Sequence, residues 1–147
     1  MIGPNPTDRG RSGNKLSVIV EKTGIPIGYY FSKANVHDSK LVKDTFKDIK
    51  IKLPKGNLIL ADLGYDSNKI RNFFMNHNIR TEIPKRKNSK TPNKEFKHNK
   101  LRYVVEALFG WLDKFRRLIV RYEKKMINYE AFTCFAYAFI IYKKCGY

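Results

Sequence analysis

Two acidic residues stand where their surroundings give a carboxylate something to do. Asp62 follows the continuous apolar run Leu58-Ile59-Leu60-Ala61. A charge at the end of such a run is expected to be half buried, so it needs a hydrogen-bonding partner, a counter-ion or a metal. Glu106 lies in a stretch of helical apolar spacing but off the apolar stripe, on the flank shared by Arg102, Asp113 and Arg117. Two carboxylates from distant parts of a chain that meet at one sheet end can hold Mg²⁺, which neutralises a scissile phosphate and activates water or a 3′ hydroxyl. Such a centre ordinarily has a third acid. Each residue also has a plainer reading. A strand-end Asp caps the following turn through backbone N–H groups, and Arg102 and Glu106, four apart, form a solvated pair worth about 0.3 to 0.5 kcal/mol.

Other chemistries find less support. His37, His77 and His98 form no ligand pattern, although His37 in Asn35-Val36-His37-Asp38-Ser39 can touch the site through its loop. Cys134 and Cys145 have no zinc or C-x-x-C spacing, so neither a disulfide scaffold nor a structural zinc is indicated, and a reducing cytoplasm fits. No phosphate-binding glycine loop and no G-x-S-x-G occurs.

With 30 Lys+Arg against 13 Asp+Glu the chain carries +17 over 147 residues. A surface this basic attracts polyanions, nucleic acid foremost; a merely Lys-rich composition is the bland alternative. Residues 85–102 hold eight basic residues, among them Lys85, Arg86, Lys87 and Arg102, and one acid, Glu95, interleaved with Asn, Ser, Thr and Pro92. That segment reads as a flexible basic loop. A second cluster, with Lys114, Arg116, Arg117 and Arg121, falls on a predicted helix. The longest apolar run, residues 131–142, is shorter than the ~20 residues of a spanning helix and reads as a core helix. No signal peptide follows Met1.

The elements that must position these groups follow from periodicity. Residues 1–13 read as loop. Leu16, Val18 and Val20 alternate as in a half-buried strand, the turn Glu21-Lys22-Thr23-Gly24 follows, and Ile27, Tyr29 and Phe31 line a second strand, which together make a hairpin. Asp38 or Ser39 caps a helix bearing Leu41, Val42, Phe46 and Ile49. Residues 57–62 form a strand buried on both faces, Asp66 or Ser67 caps a short helix, and Ile79, Thr81 and Ile83 alternate in another strand. From Leu101 to Tyr122 the apolar residues keep helical spacing throughout, which predicts one long helix, and residues 129–144 form a last one packed on it. Trp111, Phe109 and Phe115 read as packing groups. Strands alternating with helices after a hairpin imply an α/β fold with a mixed sheet and flanking helices in a single domain, with functional groups at the carboxyl ends of parallel strands.

Four segments carry a resemblance: Gly3-Pro4-Asn5-Pro6-Thr7-Asp8-Arg9-Gly10-Arg11-Ser12-Gly13-Asn14, then Asn35-Val36-His37-Asp38-Ser39, then Leu60-Ala61-Asp62-Leu63-Gly64-Tyr65-Asp66-Ser67, then Val105-Glu106-Ala107-Leu108-Phe109-Gly110-Trp111-Leu112 with Phe115-Arg116-Arg117-Leu118 and Arg121-Tyr122-Glu123. In this order, over nearly the whole chain, they resemble the catalytic domain of bacterial insertion-sequence transposases of the DDE type. The resemblance implies a ribonuclease H-like fold whose two Asp and one Glu bind divalent metal, Mg²⁺ or Mn²⁺, for DNA strand cleavage and transfer. On it, Asp62 is the second catalytic Asp and Glu106 the catalytic Glu, both metal ligands. Arg102 matches the Arg of the Tyr-Arg-Glu-Lys signature, a phosphate contact. The signature Lys falls at Asp113, with Lys114 next to it.

The family's first catalytic Asp ends an opening strand upstream of the Pro-Thr-Asp-Arg segment, and no such strand precedes it here; Asp8 reads as loop and Asp38 as a helix cap. The expectation is therefore a partial domain over residues 1–147, truncated at its N-terminus. Its first strand is missing, its hairpin edge is unpaired, and its activity as an enzyme is incomplete. The partners implied are the element's terminal repeats and target DNA, with a homodimer or a complementing N-terminal piece of transposase and no membrane. The place implied is the cytoplasm, at the nucleoid. A non-catalytic nucleic-acid-binding remnant is the alternative of another class.

Overall fold

The computed structural model describes residues 2–5, 9, 12–85 and 102–146. Leu16, Val18 and Val20 alternate as expected within β2 (Ser12–Val20), which pairs antiparallel with β3 (Pro26–Lys33), Leu16 opposite Phe31 and Val18 opposite Tyr29. The turn closes through Gly24 N–H to Glu21 O at 2.8 Å, with Gly24 at φ +87°, a conformation that favours glycine. The opening segment is not all loop. Gly3–Pro4, β1, pairs with Gly13 and Ser12 at the start of β2. Beyond that short contact, the β2 edge away from β3 meets no strand among the described residues.

Helix α1 (Asp38–Lys47) lies on one face of the hairpin. It comes close because residue 28 is glycine: a Cβ there would stand 2.8 Å from Ile49 and 3.0 Å from the Thr45 carbonyl. His37, rather than Asp38 or Ser39, is its N-cap, with the Ser39 N–H donating to Nδ1 at 3.2 Å. A strand–helix–strand unit follows in sequence order, β4 (Leu58–Leu60), α2 (Asn68–Asn76) and β5 (Arg80–Glu82), its two strands parallel with Leu58 opposite Arg80. Ser67 caps α2 by accepting from Lys69 N–H. Val42, Ile70, Phe74, Ile79 and Ile83 form the buried cluster of this half.

The predicted long helix is broken. Helix α3 (Tyr103–Leu112) ends at Asp113, and a short α4 (Arg116–Ile119) follows after Phe115 in an extended conformation. Phe115 turns its ring towards Phe139, 5.9 Å away, so apolar packing at this one residue outweighs continued helix. The last helix, α5 (Met126–Lys144), packs with α3 on the other face of the hairpin, burying Leu108, Leu112, Ala136, Tyr137 and Ile140 against Leu16, Val18, Val20 and Tyr29. The fold is mixed α/β: an antiparallel hairpin sheet and a small parallel sheet, with helices on both faces. No helix among the described residues is long and apolar enough to cross a membrane.

Candidate active site

Asp62 follows β4 by two residues. Ala61 N–H still pairs with Glu82 O at 3.3 Å, after which the chain leaves the sheet into a 3₁₀ turn, Leu63–Tyr65, closed by Tyr65 N–H to Asp62 O at 2.9 Å. The Asp62 side chain makes no capping bond to that turn, so the plain structural reading of this carboxylate is not what the geometry displays. It is also exposed rather than half buried, because β4 ends at the sheet rim and the carboxylate points outward from it. Its partner is Arg102, whose Nη2 lies 3.1 Å from Oδ1.

Arg102 is the N-cap residue of α3, and Glu106 stands in that helix's first turn, exposed, beside the buried stripe of Val104, Leu108 and Leu112. The cation four residues before Glu106 thus reaches across to the strand-end acid. It ties the end of β4 to the end of α3 that carries the second carboxylate, and the positive end of the helix dipole favours an anion there. Both side chains of the pair are more than half exposed, so its own stabilisation is at most about 1 kcal/mol.

The loop bearing Asp62 is held from below. Asp66 pairs with Arg71 at 2.8 Å, both side chains largely buried, and the same Arg71 nitrogen donates to Ile83 O at 2.9 Å, just past β5. Tyr65 reaches the other way, its hydroxyl near enough to Ser17 of β2 for that side chain to act on its titration. The Thr45 hydroxyl of α1 lies 2.8 Å from Ser17 Oγ. Burial raises the Tyr65 phenol above its ordinary pKa, the Asp38 carboxylate adds to the rise, the Ser17 side chain opposes it, and Asp62 adds a smaller push. Asp38 is itself paired with Lys15 at 3.1 Å. Tyr65 is the residue that sequence reasoning missed; its place between two acids was visible, its contact with β2 was not.

The basic residues divide into engaged and outward-facing groups. Lys114 lies over the Trp111 ring at 4.1 Å. Arg117 stacks on Phe132 at 4.7 Å and approaches Glu123 at 3.7 Å, while Arg116 is exposed. Arg121 is bound inward: it donates to Glu123 O, to Lys124 O and to Asn14 Oδ1, and its guanidinium faces the Tyr129 ring. It ties the segment before α5 to β2. Lys85 is half buried at the foot of the basic loop. Arg86 and Lys87, with the rest of that loop to residue 101, lie outside the described residues, as does Asp8.

The carboxylate oxygens of Asp62 and Glu106 suit a hard divalent cation in type. In number they fall short: among the described residues no three acidic, histidine or cysteine side chains come together as a metal site.

Residues 3–138 match the family described as "Transposase DDE domain". Among curated proteins, the chain is 34% identical over 137 residues to a putative transposase for insertion sequence element IS402 of Burkholderia cepacia, covering 88% of this chain and 63% of that protein. It is 32% identical over 111 residues to the transposase for insertion sequence element IS1106 of Neisseria meningitidis serogroup B, covering 71% of this chain and 37% of that one. The chain thus spans less than two thirds of the length of either relative. No solved structure matches it.

Proposed function

Because the chain belongs to the Transposase DDE domain family, we propose that it carries out DNA strand cleavage and transfer at the ends of an insertion element, with Asp62 and Glu106 as acidic ligands of Mg²⁺ or Mn²⁺. The observation that carries this reading is the 3.1 Å contact between Arg102 and Asp62, which joins the strand-end acid to the helix bearing Glu106. A divalent ion bound there supplies charge neutralisation of the scissile phosphate and a more acidic attacking water or 3′ hydroxyl. The chain's own residues do the rest. Arg102 neutralises Asp62 while the site is empty and turns to a phosphate oxygen when DNA enters. Lys114 on its Trp111 platform, Arg116 and Arg117 hold the backbone alongside, and Lys85 with Arg86 and Lys87 extends that track. Arg121 stands next to that track, with its hydrogen bonds also tying the segment before α5 to β2.

A third carboxylate completes the centre in this reading. Among the described residues no strand pairs with the β2 edge beyond β1 or with the outer edge of β4, and these edges offer backbone groups to a further strand, so in this reading the partner is a strand-forming piece of transposase carrying an acid at its end, acting on DNA in the cytoplasm. The test is nicking of terminal-repeat DNA by the chain, alone and with the relatives' additional segment restored, in Mg²⁺ or Mn²⁺. Cleavage that is lost in Asp62→Asn and in Glu106→Gln supports the proposal; no cleavage in either setting, or cleavage surviving Asp62→Asn, overturns it.

The shortage of metal-binding side chains among the described residues favours a second reading, a DNA-binding module without chemistry. There, affinity persists in chelator, falls steeply with salt, and is indifferent to Glu106→Gln.

A further inference from the structure

We infer that a trough at the amino-terminal end of the β4–β5 sheet is a docking site for a partner protein, and that it takes a segment in which acidic residues alternate with large apolar ones. The trough runs between residues 51–56 and the end of α2. One hollow of about 380 Å³ has Phe46, Ile49, Leu53 and Ile79 among its lining residues. A second shares Lys55, Asn78 and Ile79 with it and continues past Met75 to Arg80. Asp62 leaves β4 at the carboxyl end of the sheet, whereas Gly56 and Asn78 lie just before the amino ends of β4 and β5. There Gly56 N–H pairs with Asn78 O at 3.1 Å and Arg80 N–H with Asn57 O at 2.8 Å. A partner seated in the trough leaves the carboxylate end of the sheet uncovered.

The walls are set before anything binds. Phe46 packs edge to face on Phe73 and Phe74 at 5.4 and 5.7 Å. The His77 ring lies 5.2 Å from Phe46 and 4.5 Å from Phe73, with its Nδ1 2.8 Å from Phe73 O. Arg80 is tied through Nε to Gly56 O at 3.2 Å. A pre-formed hollow of this volume admits about two large apolar side chains at little ordering cost. At its lip Ile51 and Met75 are exposed, 55% and 66%, apolar surface of the kind that marks a protein contact. Charge then selects the occupant. Lys52, Lys55 and Arg80 rim the trough, and no acidic side chain among the described residues lines either hollow. Carboxylates spaced along a peptide reach those cations while the apolar groups between them fill the floor. A nucleic-acid backbone would satisfy the cations but set phosphate and sugar against Ile51 and Met75.

The experiment is fluorescence anisotropy of the full chain with a short labelled peptide that alternates Glu and Asp with Leu and Phe. It is run without DNA or metal, so its result is separate from that of the cleavage test. Saturable binding is expected, weakened at least about tenfold when Ser replaces the peptide's Leu and Phe. Ile51→Ser and Lys55→Glu, both at exposed positions, should each weaken it about fivefold or more with unchanged far-UV spectra. Lys22→Glu, an equal change of charge at the exposed hairpin turn, should alter it less than about twofold. No binding, binding that survives loss of the peptide's Leu and Phe, or equal weakening by Lys22→Glu and Lys55→Glu overturns the inference. So does an Ile51→Ser chain that loses as much affinity for duplex DNA as for the peptide, which would assign the trough to nucleic acid.

Discussion

Asp62 leaves a strand whose surroundings are tied by hydrogen bonds and a largely buried ion pair, whereas Glu106 rides on a helix fixed by apolar contact. On the Asp62 side, Arg71 joins Asp66 to Ile83, and Tyr65, Ser17 and Thr45 join the 3₁₀ turn to the hairpin and α1. On the Glu106 side, Leu108 and Ile140 are 1% exposed and Ala136 wholly buried, with the hairpin face as their floor. Directional bonds fix a loop at angstrom precision, and burial holds a helix in place while leaving its exposed flank free. A site assembled from both has one member held rigidly by geometry and the other held by bulk packing.

The two kinds of support should fail by different amounts. Leu108→Ala removes a fully buried side chain from the α3–α5 interface and should cost about 2 to 5 kcal/mol in denaturant unfolding, the largest single effect here. Arg71→Met keeps most of the volume but takes the guanidinium away from the largely buried Asp66 carboxylate and from Ile83 O, and should cost about 2 to 3 kcal/mol. If Arg71→Met proves neutral, the polar anchoring of the Asp62 loop is not what holds it. Urea titrations of both variants, followed by far-UV circular dichroism, decide the order.

Much of this division could be read from residue patterns, for reasons that also explain the failures. The hairpin announces itself because one-sided burial imposes alternation in Leu16, Val18 and Val20, whereas the continuous run Leu58-Ile59-Leu60 marks β4 without the two-sided burial it suggests: Leu58 is exposed and Ile59 and Leu60 are half buried, because β4 pairs with β5 alone among the described residues. The spacing over residues 101–122 predicts one long helix that the fold breaks: Ile119 and Tyr122 keep helical spacing with Leu112, yet both are exposed, 59% and 71%. The turn at Phe115 is decided by a ring contact with Phe139, 24 residues further on. The same holds for the site: the identities of Asp62 and Glu106 stand out locally, but the reach of Arg102 to Asp62 and of Tyr65 to Ser17 depends on how separate elements pack, which no periodicity encodes.

A smaller effect separates the two halves by pH. Tyr137, on the packed side, has a buried hydroxyl with no hydrogen-bond partner among the described residues, and burial pushes its pKa well above the ordinary value, with Tyr29 beside it adding to the rise. Replacing it by Phe removes an unpaired polar group while keeping the ring contact with Tyr29, so Tyr137→Phe should stabilise the chain by about 1 kcal/mol at neutral pH. An acid that holds its proton more tightly when folded stabilises the fold below its unfolded pKa and loses that contribution as pH rises further. Wild-type stability should therefore fall above about pH 10, the ordinary tyrosine value, and Tyr137→Phe should fall less. Tyr65→Phe, on the other side, should also lessen the alkaline loss but gives up the favourable approach of its hydroxyl to Ser17, so it should bring no gain at neutral pH. A melting series from pH 7 to about 11 distinguishes them.

The weakest link is the direct one between the two carboxylate-bearing elements. Arg102 and Asp62 are exposed, 57% and 61% at their side chains, so solvent screens their attraction. Arg102→Ala should change unfolding stability by no more than about 0.5 kcal/mol, less still in high salt. A double-mutant cycle with Asp62→Asn should give a coupling of the same small size. That weakness is consistent with the pair's place in the proposed chemistry: a cation that must give up a carboxylate when phosphate arrives is poorly suited by a strong bond. Terminal-repeat binding should consequently suffer far more than folding does in Arg102→Ala, whereas Arg71→Met should damage both together. A stability loss from Arg102→Ala as large as that from Arg71→Met would show instead that the junction is structural, with the two halves welded at the carboxylate rather than left adjustable around it.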